Sequence, residues 1–334
     1  MIKEEVKLEQ RIVFTGKQQV ELETYQPEEV GSGQVGVKSY YSLLSTGTEN
    51  IAFNQVFEKG THWAGWVKYP FYPGYAVVGE VVDIGENVTS IHKGDLVALR
   101  RGHGSYHIVS EEECFPIPSD MDAKDATWFA LAKITFLGAK AANYGMGENI
   151  LVIGAGPVGQ MTLRWAYALG AERIISTDFF EERLTYSRQG GASFVLDQPV
   201  TDSVDRIKSH FDGRLPDIVI DSTANPKVLK SALSLVKTQG KVVIMGDCGR
   251  FSEQELISDV VTRGITIVGA HDGLAVGEWN AHRIHRSFCN YVQSKRFHLE
   301  GLISHEFRPN ECVEAYRTAN EAIRQTMGIL FNWR

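Results

Sequence analysis

Apolar and polar positions change their rhythm once along this chain. Up to about residue 147 they alternate over short runs. Segments 35–41 (Val-Gly-Val-Lys-Ser-Tyr-Tyr), 77–85 and 94–99 each read as a strand bounded by glycine-marked turns. One helical stretch interrupts this pattern at 123–142, with Asp120 or Asp122 placed to cap it. From residue 148 the pattern becomes strand–helix alternation. Runs 149–153, 173–177, 194–196, 217–221 and 241–245 are strand-like, and 157–169, 181–189, 202–211 and 226–237 are helical. Residues 265–269 read as a last strand. Such alternation predicts a parallel sheet covered on both faces, preceded by a β-rich, barrel-like unit. The tail, 275–334, holds helical stretches at 281–294 and 310–324 and a strand-like end at 328–331. It is too small to form a core alone and is expected to rejoin the first unit. The expected domains are therefore 1–147 with 275–334, and 148–274.

Composition narrows the class. At 334 residues the chain is long for one core, and its 43% apolar and 22% charged content is that of a soluble globular protein. A net charge of −7 without long runs of one sign offers no surface for nucleic acid or an anionic membrane. No stretch reaches the length of a membrane span, and the opening Met1-Ile2-Lys3-Glu4-Glu5-Val6 lacks an apolar signal region, so a cytoplasmic location is expected. Cys114, Cys248, Cys289 and Cys312 form no Cys-x-x-Cys pair. They read as reduced, small apolar residues, not as a disulfide framework or a zinc ribbon.

The clearest chemical signal is Gly154-Ala155-Gly156-Pro157-Val158-Gly159. A predicted strand enters it and a predicted helix leaves it, as a dinucleotide fingerprint requires. Gly154 permits the tight turn, Gly156 removes a side chain from the path of a pyrophosphate, and Gly159 lets helix and strand approach. Pro157 sits in the first helical turn, where a missing N–H costs little. The helix N-terminus then presents free N–H groups to phosphates. Asp178 ends the next predicted strand, where a carboxylate accepts from both ribose hydroxyls and repels a 2′-phosphate. Phe179 and Phe180 bring no cation to such a phosphate, and Arg183 lies a turn further on. NAD is therefore expected over NADP.

Together with Thr46-Gly47-Thr48-Glu49, Pro73-Gly74-Tyr75, Val78-Gly79-Glu80-Val81-Val82, Gly94-Asp95-Leu96-Val97 and the stretch 130–139, this fingerprint resembles the medium-chain dehydrogenase/reductase superfamily, on its sorbitol and threonine dehydrogenase side. The resemblance covers nearly the whole chain. It implies an α/β fold: a Rossmann doubly wound parallel sheet plus a GroES-like β-barrel catalytic domain built from both chain ends, with nicotinamide and substrate in a cleft. It also implies a homodimer or homotetramer formed through the Rossmann sheet edge, near 265–268. The departures from the family are as informative. Its first zinc-ligand position falls on Thr46 and its second on Tyr75, with Ala76 in place of the neighbouring glutamate. Its third falls on Leu131 if Thr135 is the nicotinamide-facing threonine, or on Ala132 with a one-residue slip. In place of the cysteine-rich structural-zinc lobe stands Arg100-Arg101-Gly102-His103-Gly104-Ser105-Tyr106. Cys, His and carboxylates dominate zinc binding, so no metal site is expected.

Without a Lewis acid, hydride transfer from an alcohol still needs a group to take the hydroxyl proton and hold the developing oxyanion. Thr48 matches the family's proton-relaying hydroxyl and reads otherwise as a turn residue. Tyr75 reads as a hydrogen-bond partner of the substrate oxygen or as core filler. Lys133 places a charge in an apolar helix, where desolvation makes an amine a usable acid or base, or it snorkels to solvent. Glu49 reads as a base or an ion-pair member, and His103, His107 and His271 as bases or incidental residues. His282 and His285 read as a polar helix face and not as a metal pair. The first expectation for function is a zinc-independent, NAD-dependent dehydrogenase of a polyol, sugar or cyclitol type of secondary alcohol. Polar candidates at the site fit a polyhydroxylated small-molecule substrate. The alternatives are a zinc-free quinone or enoyl reductase, or a non-catalytic NAD(H)-binding protein.

Overall fold

The strand Gln34–Leu44 is the spine of a seven-stranded sheet in the computed structural model, which describes residues 8–334. The opening Met1–Val6 lies outside the described residues. Along this sheet Ile303–Phe307, Gly328–Asn332, Gln34–Leu44, Val77–Ile84, Leu96–Leu99 and Phe115–Pro116 are successive neighbours, and Tyr106–Ser110 also pairs with Gln34–Leu44. The C-terminal strand runs antiparallel to Gln34–Leu44, with Leu330 opposite Leu43. Of the tail, residues 303–334 thus belong to the first unit. Val35, Val37, Val77, Val81, Val97, Leu99 and Val109 fill its interior, each contributing about 1.5–3 kcal/mol relative to exposure. A separate hairpin, Glu9–Gly16 with Gln19–Tyr25, precedes it. Helix Thr46–Asn54 follows the spine strand directly. Its Thr- and Gly-rich first turn has poor helix propensity, so the sequence pattern had not marked it.

The second unit holds six parallel strands in the order Phe194–Leu196, Arg173–Thr177, Asn149–Ile153, Ile218–Asp221, Lys241–Ile244, Thr266–Gly269. This is the doubly wound order with a switch point beside the first strand. Ile150, Val152, Ile218, Ile220 and Val243 face one packed layer, while Leu151, Ile153, Val219 and Val242 face the other. Period-2 alternation with both faces buried explains the continuous apolar runs. The expected 123–142 helix is broken in two, Ala123–Ala126 and Phe129–Ala142. Asp122 caps the first piece, accepting from the backbone N–H of Lys124 and Asp125.

The units divide at other points than the expected 148 and 274. The first comprises residues up to Gln55, Ala64–Ala130 and Ile303–Arg334; the second comprises Val56–Trp63 and Leu131–Leu302. Contacts of one indole tie part of each shifted segment to the second unit. Trp165 Nε1–H donates to the Ala132 carbonyl at 2.8 Å, and its ring lies 5.0 Å from that of Phe136 and 4.7 Å from that of Phe297. Arg296 donates to the Ala168 carbonyl. Residues 131–147 and 275–302 fall in the second unit. Among the described residues no helix is long and apolar enough to cross a membrane.

Candidate active site

In the first unit three hydroxyls meet. Ser45 follows the spine strand as the N-cap of helix Thr46–Asn54, and Thr48 lies in that helix's first turn. Tyr75 enters from the Pro73-Gly74-Tyr75 turn. Its phenol oxygen is hydrogen-bonded with Ser45 Oγ and lies 3.4 Å from Thr48 Oγ1. Arg100 holds the same tyrosine twice: Nη1 donates to its carbonyl at 3.2 Å, and the guanidinium carbon lies 4.4 Å from the ring centroid. Burial pushes the Tyr75 phenol above the ordinary tyrosine value, against the opposing pull of the Ser45 and Thr48 hydrogen bonds and the Arg100 charge. At neutral pH it is a protonated donor.

Glu49 and His103 lie behind this cluster as a buried pair, not as accessible bases. Glu49 accepts the Ser45 N–H at 2.7 Å on one oxygen and the Tyr316 hydroxyl on the other, which also lies 3.0 Å from His103 Nε2. His103 Nδ1 is 2.8 Å from Ser42 Oγ, which also accepts from Trp333 Nε1 at 2.9 Å. Both residues are 2% exposed. His107 sits in the strand Tyr106–Ser110. Burial and the Arg101 charge push its imidazole down to about 4, so it is neutral at pH 7.

In the second unit the glycine fingerprint has the predicted shape. Gly154 adopts φ +91°, which glycine alone takes without strain, and a Cβ at Gly159 would sit 1.9 Å from the Gly154 carbonyl oxygen. At Gly156 the space is open apart from Arg183 Nη1 at 3.6 Å. Pro157 begins helix Pro157–Ala168, and Val158 packs on the core beneath it. Asp178 follows strand Arg173–Thr177. Its carboxylate accepts the Ala155 N–H at 2.9 Å and the Phe180 N–H at 3.2 Å, and Arg183 Nη1 is 3.6 Å away. A cation therefore stands beside the carboxylate, closer than its place in the sequence suggested.

Other expectations change. Lys133 is buried, but it is not a lone desolvated amine: Asp272 Oδ1 lies 2.8 Å from its Nζ. Thr135 is fully buried, and its hydroxyl is within hydrogen-bond distance of its own helix's carbonyls, Leu131 at 2.9 Å and Ala132 at 3.1 Å. His271 is exposed and accepts the Gly273 N–H. His282 is exposed, whereas His285 is buried against Cys289 Sγ, so the two do not share a polar face. Sequence reasoning missed Ser45 and Arg100. Ser45 was a legible helix-cap residue once Thr46–Asn54 is seen as a helix, while nothing local to Arg100 links it to Tyr75, 25 positions away.

The chain matches two protein families: residues 46–119 match the alcohol dehydrogenase GroES-like domain, and residues 157–283 the zinc-binding dehydrogenase family. It is 23% identical to the sorbitol dehydrogenase of Mus musculus, with 93% of each chain covered. It is 27% identical to the L-threonine 3-dehydrogenase of Symbiobacterium thermophilum, over 62% of this chain and 67% of that one. Its fold is similar to that of an Escherichia coli oxidoreductase/dehydrogenase of unknown specificity, with a TM-score of 0.84, 20% identity, and 98% and 99% of the two chains covered.

Proposed function

From its membership of the medium-chain dehydrogenase/reductase superfamily, on the zinc-type alcohol and sorbitol dehydrogenase-like side, we propose that this protein is an NAD-dependent oxidoreductase that works without zinc. It moves a hydride between the nicotinamide and a secondary alcohol of polyol, sugar or cyclitol type. The observation that carries this reading is Tyr75: at a family metal-ligand position it brings a phenol already engaged with the Ser45 and Thr48 hydroxyls.

The donor chemistry does not suit zinc. By the family resemblance the other two ligand positions fall on Thr46 and on Leu131 or, with a one-residue slip, Ala132, these last two both buried and apolar. The nearest better donors, His103 and Glu49, are joined to each other and to Ser42, Ser45 and Tyr316. Among the described residues no group of three or more His, Cys, Asp or Glu is placed to hold a metal ion. The residues do suit a dinucleotide. The open space at Gly156 and the first turn of helix Pro157–Ala168, which no side chain caps, would form a phosphate cradle. Asp178 would take the ribose hydroxyls. Bound there, the nicotinamide supplies or accepts the hydride. Tyr75 holds the substrate oxygen and exchanges its proton, and Thr48 relays that proton onward. Subunits would pair through the outer edge of strand Thr266–Gly269, which among the described residues of its sheet bonds only to Lys241–Ile244. Four buried, unpaired cysteines support a reducing, cytoplasmic location.

Metal analysis with a fluorescence titration against NADH tests this reading. Saturable NADH binding with turnover of a polyol or cyclitol and no stoichiometric zinc is expected. Tightly bound zinc would overturn the metal-free mechanism, and NADH binding without turnover across a broad panel would leave only a binding protein. The choice of NAD rests on Asp178. Replacing Asp178 by Ala with Phe179→Arg removes the carboxylate and adds a second cation beside Arg183. The ratio of kcat/KM for NAD over NADP should then fall by about 100-fold or more, the scale of one lost charge-assisted contact plus one gained. An unchanged ratio would remove Asp178 from the cofactor site.

A further inference from the structure

Ser45 is a helix N-cap whose side chain makes no cap hydrogen bond. A serine in this position ordinarily gives its oxygen to the N–H groups of the first turn, a contact worth about 1 kcal/mol. Here Ser45 Oγ is committed to the Tyr75 phenol instead, while its own N–H is pinned by Glu49. Arg100 grips Tyr75 from the other side through its carbonyl and over its ring. We propose that Ser45 and Arg100 are positioning residues that set Tyr75 as the acid and base of the reaction. The proposal rests on the oxidoreductase reading above.

Hydrogen-bond arithmetic gives the arrangement its direction. A phenol oxygen accepts from two donors and gives one proton. In the arrangement in which the Ser45 and Thr48 hydroxyls both donate into it, the phenol O–H is the one free to point at a substrate. In the reducing direction the carbonyl carbon receives hydride and its oxygen takes the Tyr75 proton, so a new O–H bond forms as the phenol O–H breaks. The phenolate left behind holds both hydroxyl hydrogen bonds with the Arg100 guanidinium over its ring, and the proton returns from solvent water through the Thr48 hydroxyl. Oxidation runs the same steps backwards, with the phenolate taking the alcohol proton. Two charged groups bear on Tyr75: Arg100 favours the phenolate, and Glu49, from the neighbouring helix, opposes it.

The test reads Tyr75 directly in the full chain, without cofactor or substrate. With 3-fluorotyrosine incorporated, phenol ionisation moves into a milder pH range, and 19F resonances report each ring; Tyr75→Phe assigns the signal. Arg100→Met and Ser45→Ala should each raise the Tyr75 midpoint by about one pH unit, the scale of losing a nearby charge or a hydrogen bond to the charged form. Arg100→Lys should restore part of the shift. In the active enzyme Ser45→Ala should lower kcat roughly tenfold with little change in KM, and the alkaline limb of the Arg100→Met profile should move with the midpoint. A fall in kcat with an unmoved midpoint would reduce both residues to packing and overturn the proposal. Shifted midpoints in a protein that turns over no alcohol would uphold the positioning and overturn the dehydrogenase reading.

Discussion

Tyr75→Phe should lower turnover by about 10²–10⁴-fold, the usual contribution of a positioned acid or base, while NADH binding stays at its wild-type affinity. The substitution removes one oxygen and keeps the ring, so the stacking with Arg100 persists. In the proposed mechanism this removes the donor to the substrate oxygen, and with it the phenol oxygen that Ser45 and Thr48 meet. The pH dependence has a definite sign. Burial holds the Tyr75 phenol above its ordinary value, so the protonated form dominates through neutrality. Reduction, which needs that form, should be flat across neutral pH and fall only in strong alkali. Oxidation, which needs the phenolate, should climb steadily with pH. Steady-state kinetics in both directions, with a fluorescence titration of NADH, provide the check. Near-normal turnover in the variant would transfer the role to Thr48 or to a water.

The largest stability effect should come from Glu49→Ala. Three groups, the Ser45 N–H, the Tyr316 hydroxyl and His103 Nε2, meet on this one carboxylate in a region closed to solvent. Burial with Glu49 beside it also pushes the Tyr316 phenol well above its ordinary value, keeping it a donor. Removing the carboxylate strands these groups without water to replace it. The expected loss is about 3–5 kcal/mol, the cost of breaking a buried, hydrogen-bonded pair from one side. In a unit of this size that lowers the thermal midpoint by on the order of 10 °C. Glu49→Gln, which retains an acceptor, should lose less. Tryptophan fluorescence suits the measurement, because Trp333 belongs to the same network through Ser42. A midpoint within about 2 °C of wild type would show that the network contributes little.

The two predictions lie on different sides of what the chain reveals in advance. The second unit was legible almost strand by strand, because each strand of a parallel sheet is a short apolar run between turns and each helix declares its own period. The fingerprint was equally local: six consecutive residues enforce a turn whose Gly154 and Gly159 tolerate no side chain. Less visible was anything that depends on which distant segment a side chain finds. Residues 131–147 and 275–302 fall in the second unit, where Trp165 touches both Ala132 and Phe297. Lys133 reads as a lone charge on an apolar helix until Asp272 is folded against it.

Local order along the chain was thus enough to specify the fold class and the glycine fingerprint, and to put Thr46, Tyr75 and Leu131 or Ala132 where the family resemblance expects metal ligands, since each of these is read from a short run of residues. Tertiary structure decided what those substitutions were worth. Glu49 and His103, 54 positions apart, became a sealed pair. Ser45 and Tyr75, 30 positions apart, became hydrogen-bonded partners, with Arg100 against the ring. Periodicity and turn chemistry act over a few residues, whereas hydrogen bonds among buried groups are set by which strands and turns the core brings together.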